Sequence, residues 1–396
     1  MHSPSEFPPI LFVEACNFVN APQGGQLTAA RMLIRALGSR MALVGWTDDS
    51  GAPIGRWHKR IIDGIEYDFF ATDYVPIPRH KRPLIPARAT CWFQFKWHAK
   101  KILSCDIPNI LTREPTVMMA LPFTPAHNVC FWLPGIEPAL SISRYGWAKR
   151  FASLFDIVLN KRLYRYAGTI LAAADSGAIN EFRRRAGGVL DDCAIRAFPT
   201  RVDTECFHQG DQPVARRSLS LPLTEKILVT SGRLHRAKGW PLLLDAFELF
   251  LTKHKNSQLV FVGDGADRSA LEQSVAKKGL GDRVFLAGYQ SPEQLALYLQ
   301  AADLFVMGSE KEGWSTSLVE ALACGLPIVT TRFSSADSIV LNSINGFVVE
   351  RDPVIFACAM ENALNLPGVR EFSQGEVEKY ALANLTSSLE EVWEVR

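Results

Sequence analysis

From Lys226 onward the chain alternates short apolar runs with amphipathic stretches, at a spacing that a parallel, doubly wound sheet accommodates and other folds do not. Strands are expected at Ile227-Leu-Val-Thr, Leu259-Val-Phe-Val, Val284-Phe-Leu, Leu304 to Met307 and Ile328-Val-Thr. Helices are expected to open near Trp240, Asp267, Pro292 and Thr316, the last running to Cys324 and closed by Gly325 and Pro327. Parallel neighbours need a crossover, which the intervening helices supply, and a sheet of this kind takes its ligands beyond the C-terminal ends of its strands. The first half opens the same way, with a strand at Ile10-Leu-Phe-Val, a tight turn at Gly24-Gly25, a helix from Leu27 to Leu37 ending at Gly38, and a strand at Met41-Ala-Leu-Val. The fold class is therefore α/β, with two Rossmann-like domains facing each other across a cleft. Residues 1–205 form the first and 206–376 the second, joined near Pro199 to Gln212, and 377–396 read as a helix packing back on the first.

The length of 396 residues favours two domains over one, and 47% hydrophobic residues suffice for two cores. The net charge is only +2, but residues 1–200 hold 24 Lys and Arg against 16 Asp and Glu, so the first half is basic and the second acidic. Different partners for the halves follow from that asymmetry. The eight cysteines are scattered, with no Cys-x-x-Cys pair and no zinc spacing, which reads as reduced thiols, a cytoplasmic location and no structural metal. The first residues lack a basic segment followed by an apolar core and do not read as a signal peptide. The longest apolar stretch, Thr116 to Ile136, is interrupted by Pro122, Pro125 and Pro134 and does not span a bilayer.

Chemistry concentrates in the second half. Glu312-Gly-Trp-Ser-Thr-Ser-Leu-Val-Glu320 crosses a loop-to-helix junction, so that Glu312 stands at the mouth of the sheet and Glu320 lies one turn inside the helix. Free N–H groups at Thr316 and Ser317, with the positive end of the helix dipole, suit a phosphate. The alternative is a capping box in which Ser317 and Glu320 bond each other's backbone. Ser231-Gly232-Arg233-Leu234 follows the first strand of the second domain, with Lys238-Gly239 at the start of the next helix. A guanidinium fork and a mobile ammonium beside a glycine turn are what a diphosphate needs, although both residues could equally be ordinary loop cations. Gly263-Asp264-Gly265 lacks the third glycine of a dinucleotide fingerprint and reads better as a structural turn. There is no nucleophile elbow, P-loop or His-Glu-x-x-His zinc site.

Arg79 to Lys101 carries seven basic residues and no acidic one, with Trp92, Phe93, Phe95 and Trp97 interleaved. Three readings stand: a helix burying its aromatic face with solvated lysines, peripheral contact with an anionic membrane, and nucleic acid, the least favoured.

Gly-Arg-Leu with Lys-Gly, Val-Phe-Val-Gly-Asp-Gly, Val-Phe-Leu-Ala-Gly-Tyr, and Glu-Gly-Trp with Val-Glu-Ala-Leu-Ala-Cys-Gly-Leu-Pro-Ile-Val together resemble the successive motifs of family 4 retaining glycosyltransferases of the GT-B fold (glycosyl transferases group 1). The resemblance is collinear over about residues 225–352 and thinner in the first half, where it rests on Gly24-Gly25 and Phe198 to Phe207. It implies transfer of a hexose from a UDP- or GDP-linked sugar with retention of configuration and no obligatory metal or other cofactor. Arg233 and Lys238, beside Gly232, would hold the diphosphate, Glu320 the ribose, and Glu312 the transferred sugar, making Glu312, Arg233 and Lys238 the catalytic set. Gly25 would approach the phosphates from the first domain, and Tyr289 would lie by the base, or simply pack as an aromatic. The family often has a histidine where Pro134 stands here, a departure that bears on a sugar or acceptor contact. A front-face mechanism, in which the leaving phosphate takes the acceptor's proton, does not need that histidine.

The expected partners are a nucleotide-sugar donor and a glycan or lipid-linked acceptor of cell-envelope polysaccharide, lipopolysaccharide or exopolysaccharide synthesis, at the inner face of the membrane, touched through residues 79–101. Rival readings are an epimerase or phosphorylase on the same architecture, and a nucleotide-sugar-binding subunit without catalysis.

Overall fold

In the computed structural model, residues 10–21, 25–77, 87–133, 140 and 149–394 are described. The chain divides into two units. The first runs to Phe198 and resumes at Leu385, and the second spans Pro199–Asn384.

The first unit holds eight strands: β1 (Ile10–Val13), β2 (Met41–Thr47), β3 (Trp57–Ile62), β4 (Ile65–Tyr74), β5 (Asn109–Thr112), β6 (Asn128–Leu133), β7 (Ala167–Ala172) and β8 (Ile195–Ala197). They are ordered β3-β4-β2-β1-β5-β6-β7-β8, parallel except for the β3–β4 hairpin. Every residue of β1, β2 and β5 is buried, as expected of strands covered by helices on both faces. The helix Gly25–Leu37 starts two residues before the expected Leu27, at the second glycine of the expected turn, and stops before Gly38 as expected, whose φ of +55° is the left-handed turn that ends it. The turn residue Gly24 lies outside the described residues, as does Pro134.

The second unit contains β9 (Lys226–Ser231), β10 (Ser257–Val262), β11 (Val284–Gly288), β12 (Leu304–Met307), β13 (Ile328–Thr331) and β14 (Gly346–Val349). All are parallel, in the order β11-β10-β9-β12-β13-β14. The chain winds outward from β9 in one direction and then, after β11, outward from β12 in the other. The strand order therefore reverses between β9 and β12, where a crevice opens beyond the carboxyl ends. Apolar residues on both faces of the strands form two core layers, one around Phe305 and Leu318 and one around Phe247 and Phe261.

Two expectations are corrected. The second unit begins at Pro199 and not at 206, because Val202 pairs with the chain near its far end: its N–H donates to Tyr380 O at 2.8 Å, and its own carbonyl accepts from Leu382 N at 2.8 Å. The same pairing breaks the helix expected over 377–396. Val377 closes the helix Val369–Val377, two 3-10 turns follow, and a separate helix spans Leu385–Glu394 in the first unit. That last helix is tied down there by Arg40 to Glu390 at 3.1 Å and by Trp393 Nε1 donating to Asn128 O at 3.4 Å.

Candidate functional site

At the reversal point, the loops leaving β9 and β12 are held together by glycines. Gly232 (φ +130°) follows β9, and Gly263 (φ +145°) packs so closely on it that a Cβ there would sit 1.9 Å from Gly232 O. Leu234 N donates to Asp264 O at 3.0 Å. The Gly263-Asp264-Gly265 turn is thus a buttress for the Gly232–Leu234 loop, in agreement with its structural reading. Gly239 (φ +80°) presses on the β12 loop in the same manner, since a Cβ would meet Gly308 O at 1.8 Å. Only a residue without a Cβ combines that φ with that approach.

This contact brings Lys238 to Glu312. Lys238 Nζ lies 2.5 Å from Glu312 Oε1, and Ser309 Oγ donates to the same oxygen at 2.7 Å. Glu310 N donates to Ala237 O at 2.9 Å, and Thr331 Oγ1 to Ser309 O at 2.6 Å, so both loops are stapled in register. The Glu312 side chain is mostly buried and that of Lys238 half-exposed, which leaves the ammonium accessible from one side. Arg233 is exposed and has no carboxylate partner among the described residues. Arg233, Lys238 and Ser309 line one pocket, with Ser231, Gly232 and Met307 along its wall.

The helix Thr316–Ala323 enters from the side. Its N-cap is Ser315, whose Oγ accepts from Leu318 N at 3.4 Å. The capping-box alternative is thereby excluded: Ser317 is the second helical residue, and its Oγ donates across to Ser231 O at 3.5 Å. The N–H groups of Thr316 and Ser317 have no acceptor among the described residues, as the first turn of a helix dictates. Glu320 is left out of any cap. It is half-buried, and the surrounding protein pushes its carboxyl up to about 7.

Arg233, Lys238, Glu312, Thr316, Ser317 and Glu320 therefore stand on three segments at one end of the second sheet: the loop after β9, the loop after β12 and the helix that follows it. Tyr289 does not join them by contact. It is 79% exposed on the loop after β11, where Gly263 N donates to Gly288 O at 2.8 Å, one loop away from Gly232. Gly25 opens its helix in the first unit. Among the described residues, no three His, Cys, Asp or Glu side chains are placed to hold a metal ion.

Two groups escaped the sequence reading. Ser309 fixes Glu312, and its position directly after an apolar strand and Gly308, three residues before the glutamate, was the available signal. In the first unit, the reversal between β1 and β5 carries Glu14, Arg113 and Glu114, all buried. The Arg113 guanidinium lies 4.7 Å over the Trp132 ring; its pKa is lowered by burial, against the pull of Glu14 and Glu114. No motif marked these residues, because their meeting depends on strand order.

Residues 211–373 match the family model described as glycosyl transferases group 1. A D-inositol 3-phosphate glycosyltransferase of Acidothermus cellulolyticus is 31% identical over 194 residues, 46% of this chain and 43% of that protein. The lipopolysaccharide 1,2-N-acetylglucosaminetransferase of Salmonella typhimurium is 29% identical over 40% of this chain and 44% of its own. The chain thus spans under half the length of these curated relatives. Likeness of fold extends further. The sucrose-phosphate synthase of Thermosynechococcus elongatus aligns with a TM-score of 0.73 at 19% identity, covering 96% of this chain and 98% of that one. Anabaena HepE, solved in complex with UDP and glucose, aligns at 0.73 and 16% identity over 98% of this chain and all of its own. The chain carries a glycosyl transferases group 1 domain over residues 211–373, on a GT-B fold of two Rossmann-like units.

Proposed function

We propose that this protein is a retaining glycosyltransferase that moves a hexose from a UDP- or GDP-linked sugar to a glycan or lipid-linked acceptor in envelope polysaccharide, lipopolysaccharide or exopolysaccharide synthesis, with no obligatory metal. One observation carries the reading: a guanidinium without a carboxylate partner among the described residues and an ammonium line one pocket where the second sheet reverses its strand order, and the helix with two open N–H groups reaches the pocket wall through Ser317 Oγ on Ser231 O. That set matches a diphosphate in charge and donor geometry, and stabilises the charge that develops when the sugar leaves. Glu312, already oriented by Lys238 and Ser309, accepts hydrogen bonds from the transferred sugar. Glu320, on the inner turn of the helix, does the same for ribose hydroxyls. The HepE complex with UDP favours uridine as the base. Peripheral contact with an anionic membrane through 79–101 belongs to this proposal; of that segment, the helix Ala87–Ile102 buries Phe95 and His98 and exposes Phe93, Lys96 and Trp97.

A thermal-shift panel of UDP, GDP and their sugars tests the donor site. A ligand at a hundred times its Kd should stabilise the intact protein by about 2.7 kcal/mol, and the Arg233→Ala, Lys238→Ala double variant should show no shift. A folded protein that responds to no nucleotide would remove the basis of the reading. Donor consumption that requires an acceptor separates transfer from isomerisation.

Glu320 gives the site a pH signature. Its ionised form accepts from two hydroxyls, one on each oxygen, more strongly than the neutral acid, in which one oxygen has become a donor, so UDP affinity should rise up to about tenfold from pH 6 to pH 8, and Glu320→Gln should flatten the profile. The stability effect runs the other way. The folded pKa of about 7 exceeds the ordinary carboxylate value, so folding takes up a proton between the two. The stability associated with that proton is complete below the unfolded value and is lost as pH rises through 7. Glu320→Gln should therefore be more stable than the parent at pH 8, by up to about 3 kcal/mol, in chemical denaturation. A flat parental affinity profile would disprove the ribose role.

A further inference from the structure

The helix Ala152–Tyr166 breaks the pattern of its neighbours. It buries Leu159 and Leu163 against the sheet, as a surface helix should. Its solvent side nevertheless carries large apolar residues interleaved with Lys161 and Arg165: Leu154 is 60% exposed and Ile157 52%, with Phe151, Val158 and Tyr164 also exposed. The next helix, Ser176–Arg185, is ordinary by comparison, hiding Ile179 and Phe182 and exposing Asn180, Glu181 and Arg184. Exposed apolar side chains concentrated on one helix mark an interaction surface.

The charges around this face choose the occupant. Lys149 and Arg150 precede the helix and are exposed, while Lys161 and Arg165 close it. The one acid in the helix, Asp156, is half-buried, so no exposed carboxylate lies on it. Arg162 fastens the helix to the short helix Pro115–Ala120 by donating to Leu121 O at 2.6 Å and to Met118 O. Pro115–Ala120 also packs against Ala87–Ile102. The two longer helices thus flank the same short one, and the second exposes Phe93 and Trp97, the latter at 84%, beside Lys96 and Lys100. Exposed apolar side chains accompanied by exposed cations, with no exposed carboxylate on either helix, are the chemistry of an interfacial helix on an anionic bilayer.

We propose that the exposed face of Ala152–Tyr166 docks the first unit onto an anionic lipid bilayer, with Leu154 and Ile157 entering the interface and Lys161 and Arg165 pairing with lipid headgroups. The inference rests on the membrane contact proposed above for its choice of occupant, and adds to it the element that inserts.

The test is sedimentation of the full chain with vesicles of phosphatidylcholine alone, or with 30 mol% phosphatidylglycerol (about a third), at low and high salt. The protein should bind the anionic vesicles and leave them as salt rises. Leu154→Ser with Ile157→Ser should weaken binding about tenfold. Lys161→Glu with Arg165→Glu should weaken it at least twenty-fivefold, about fivefold per charge removed. All four positions are exposed, so both variants should keep the parental circular dichroism and melting midpoint. Anionic vesicles that bind the Leu154/Ile157 variant as well as the parent would overturn the proposal. So would a parent that is dimeric in solution and becomes monomeric in that variant, because a second copy would then cover the face. Loss of binding only on Phe93→Ser with Trp97→Ser would also overturn it, returning the contact to 79–101 alone. Nucleotide thermal shift on the same samples keeps the two readings apart: vesicle binding without any nucleotide response ends the transferase reading and leaves docking intact.

Discussion

Lys238→Ala should lower kcat/KM for sugar transfer by about a hundred- to a thousandfold, mostly through kcat. The ammonium is half-exposed at the mouth of the pocket and held by Glu312 at 2.5 Å, so it is preorganised where the leaving diphosphate gains charge. A cation fixed in place stabilises the transition state more than the bound donor, which is why kcat and not KM should respond. Lys238→Arg keeps the charge but not the point contact, and should recover only part of the rate. Because Lys238 and Glu312 touch, their effects should not add. In a double-mutant cycle with Glu312→Gln, the pair should fall short of the product of the single losses. Steady-state kinetics on the four proteins decide the matter; full additivity, or an unchanged kcat in Lys238→Ala, would show that the pair is merely structural.

The largest loss of stability is expected at a residue remote from the chemistry. Arg216, in the helix Gln212–Ser218, is 3% exposed, and its guanidinium donates to Ala301 O at 2.9 Å, Leu223 O at 2.9 Å and Glu225 O at 3.1 Å. It pairs with Asp303 Oδ2 at 2.6 Å, and that carboxylate also accepts from Ile227 N at 2.7 Å. One side chain thus joins a helix, the start of β9 and the segment entering β12, the two strands that frame the pocket. Arg216→Ala would strip the half-buried Asp303 of its guanidinium, leaving it Ile227 N and Lys226 Nζ, and would leave the carbonyls of Ala301, Leu223 and Glu225 without that donor, at a cost of about 3–5 kcal/mol. In a unit of this size, that is about a 10 °C fall in melting midpoint. Arg216→Met with Asp303→Asn should cost clearly less, since no charge is stranded. Denaturant melts of the three proteins measure both; an Arg216→Ala midpoint within error of the parent would refute the staple.

Neither Arg216 nor the β9–β12 adjacency was readable locally. The helix around Arg216 looks like any short basic helix, and a buried arginine has no pattern of its own. The value of the residue comes from carbonyls contributed by Leu223, Glu225 and Ala301, which meet only when β9 and β12 lie side by side.

The sequence by itself determined the elements of the second unit and the chemistry set at their ends. Apolar runs at Ile227, Leu259 and Leu304 are strands because their side chains are buried on both faces, a property written in consecutive residues. Arg233, Lys238 and Glu312 stood out because fixed charges after a strand and a glycine are a local pattern. Only the tertiary structure decided what those elements do to each other. It set the reversal of strand order between β9 and β12 and the contact of Lys238 with Glu312. It gave the cap of the site helix to Ser315 rather than Ser317, divided the expected C-terminal helix where Tyr380 and Leu382 pair with Val202, and left Leu154 and Ile157 facing solvent. Each of these is a choice among partners distant in the chain or alternative in geometry. It is made by packing and by the satisfaction of buried polar groups, whose free energies depend on the assembled neighbours and not on the residue's own segment.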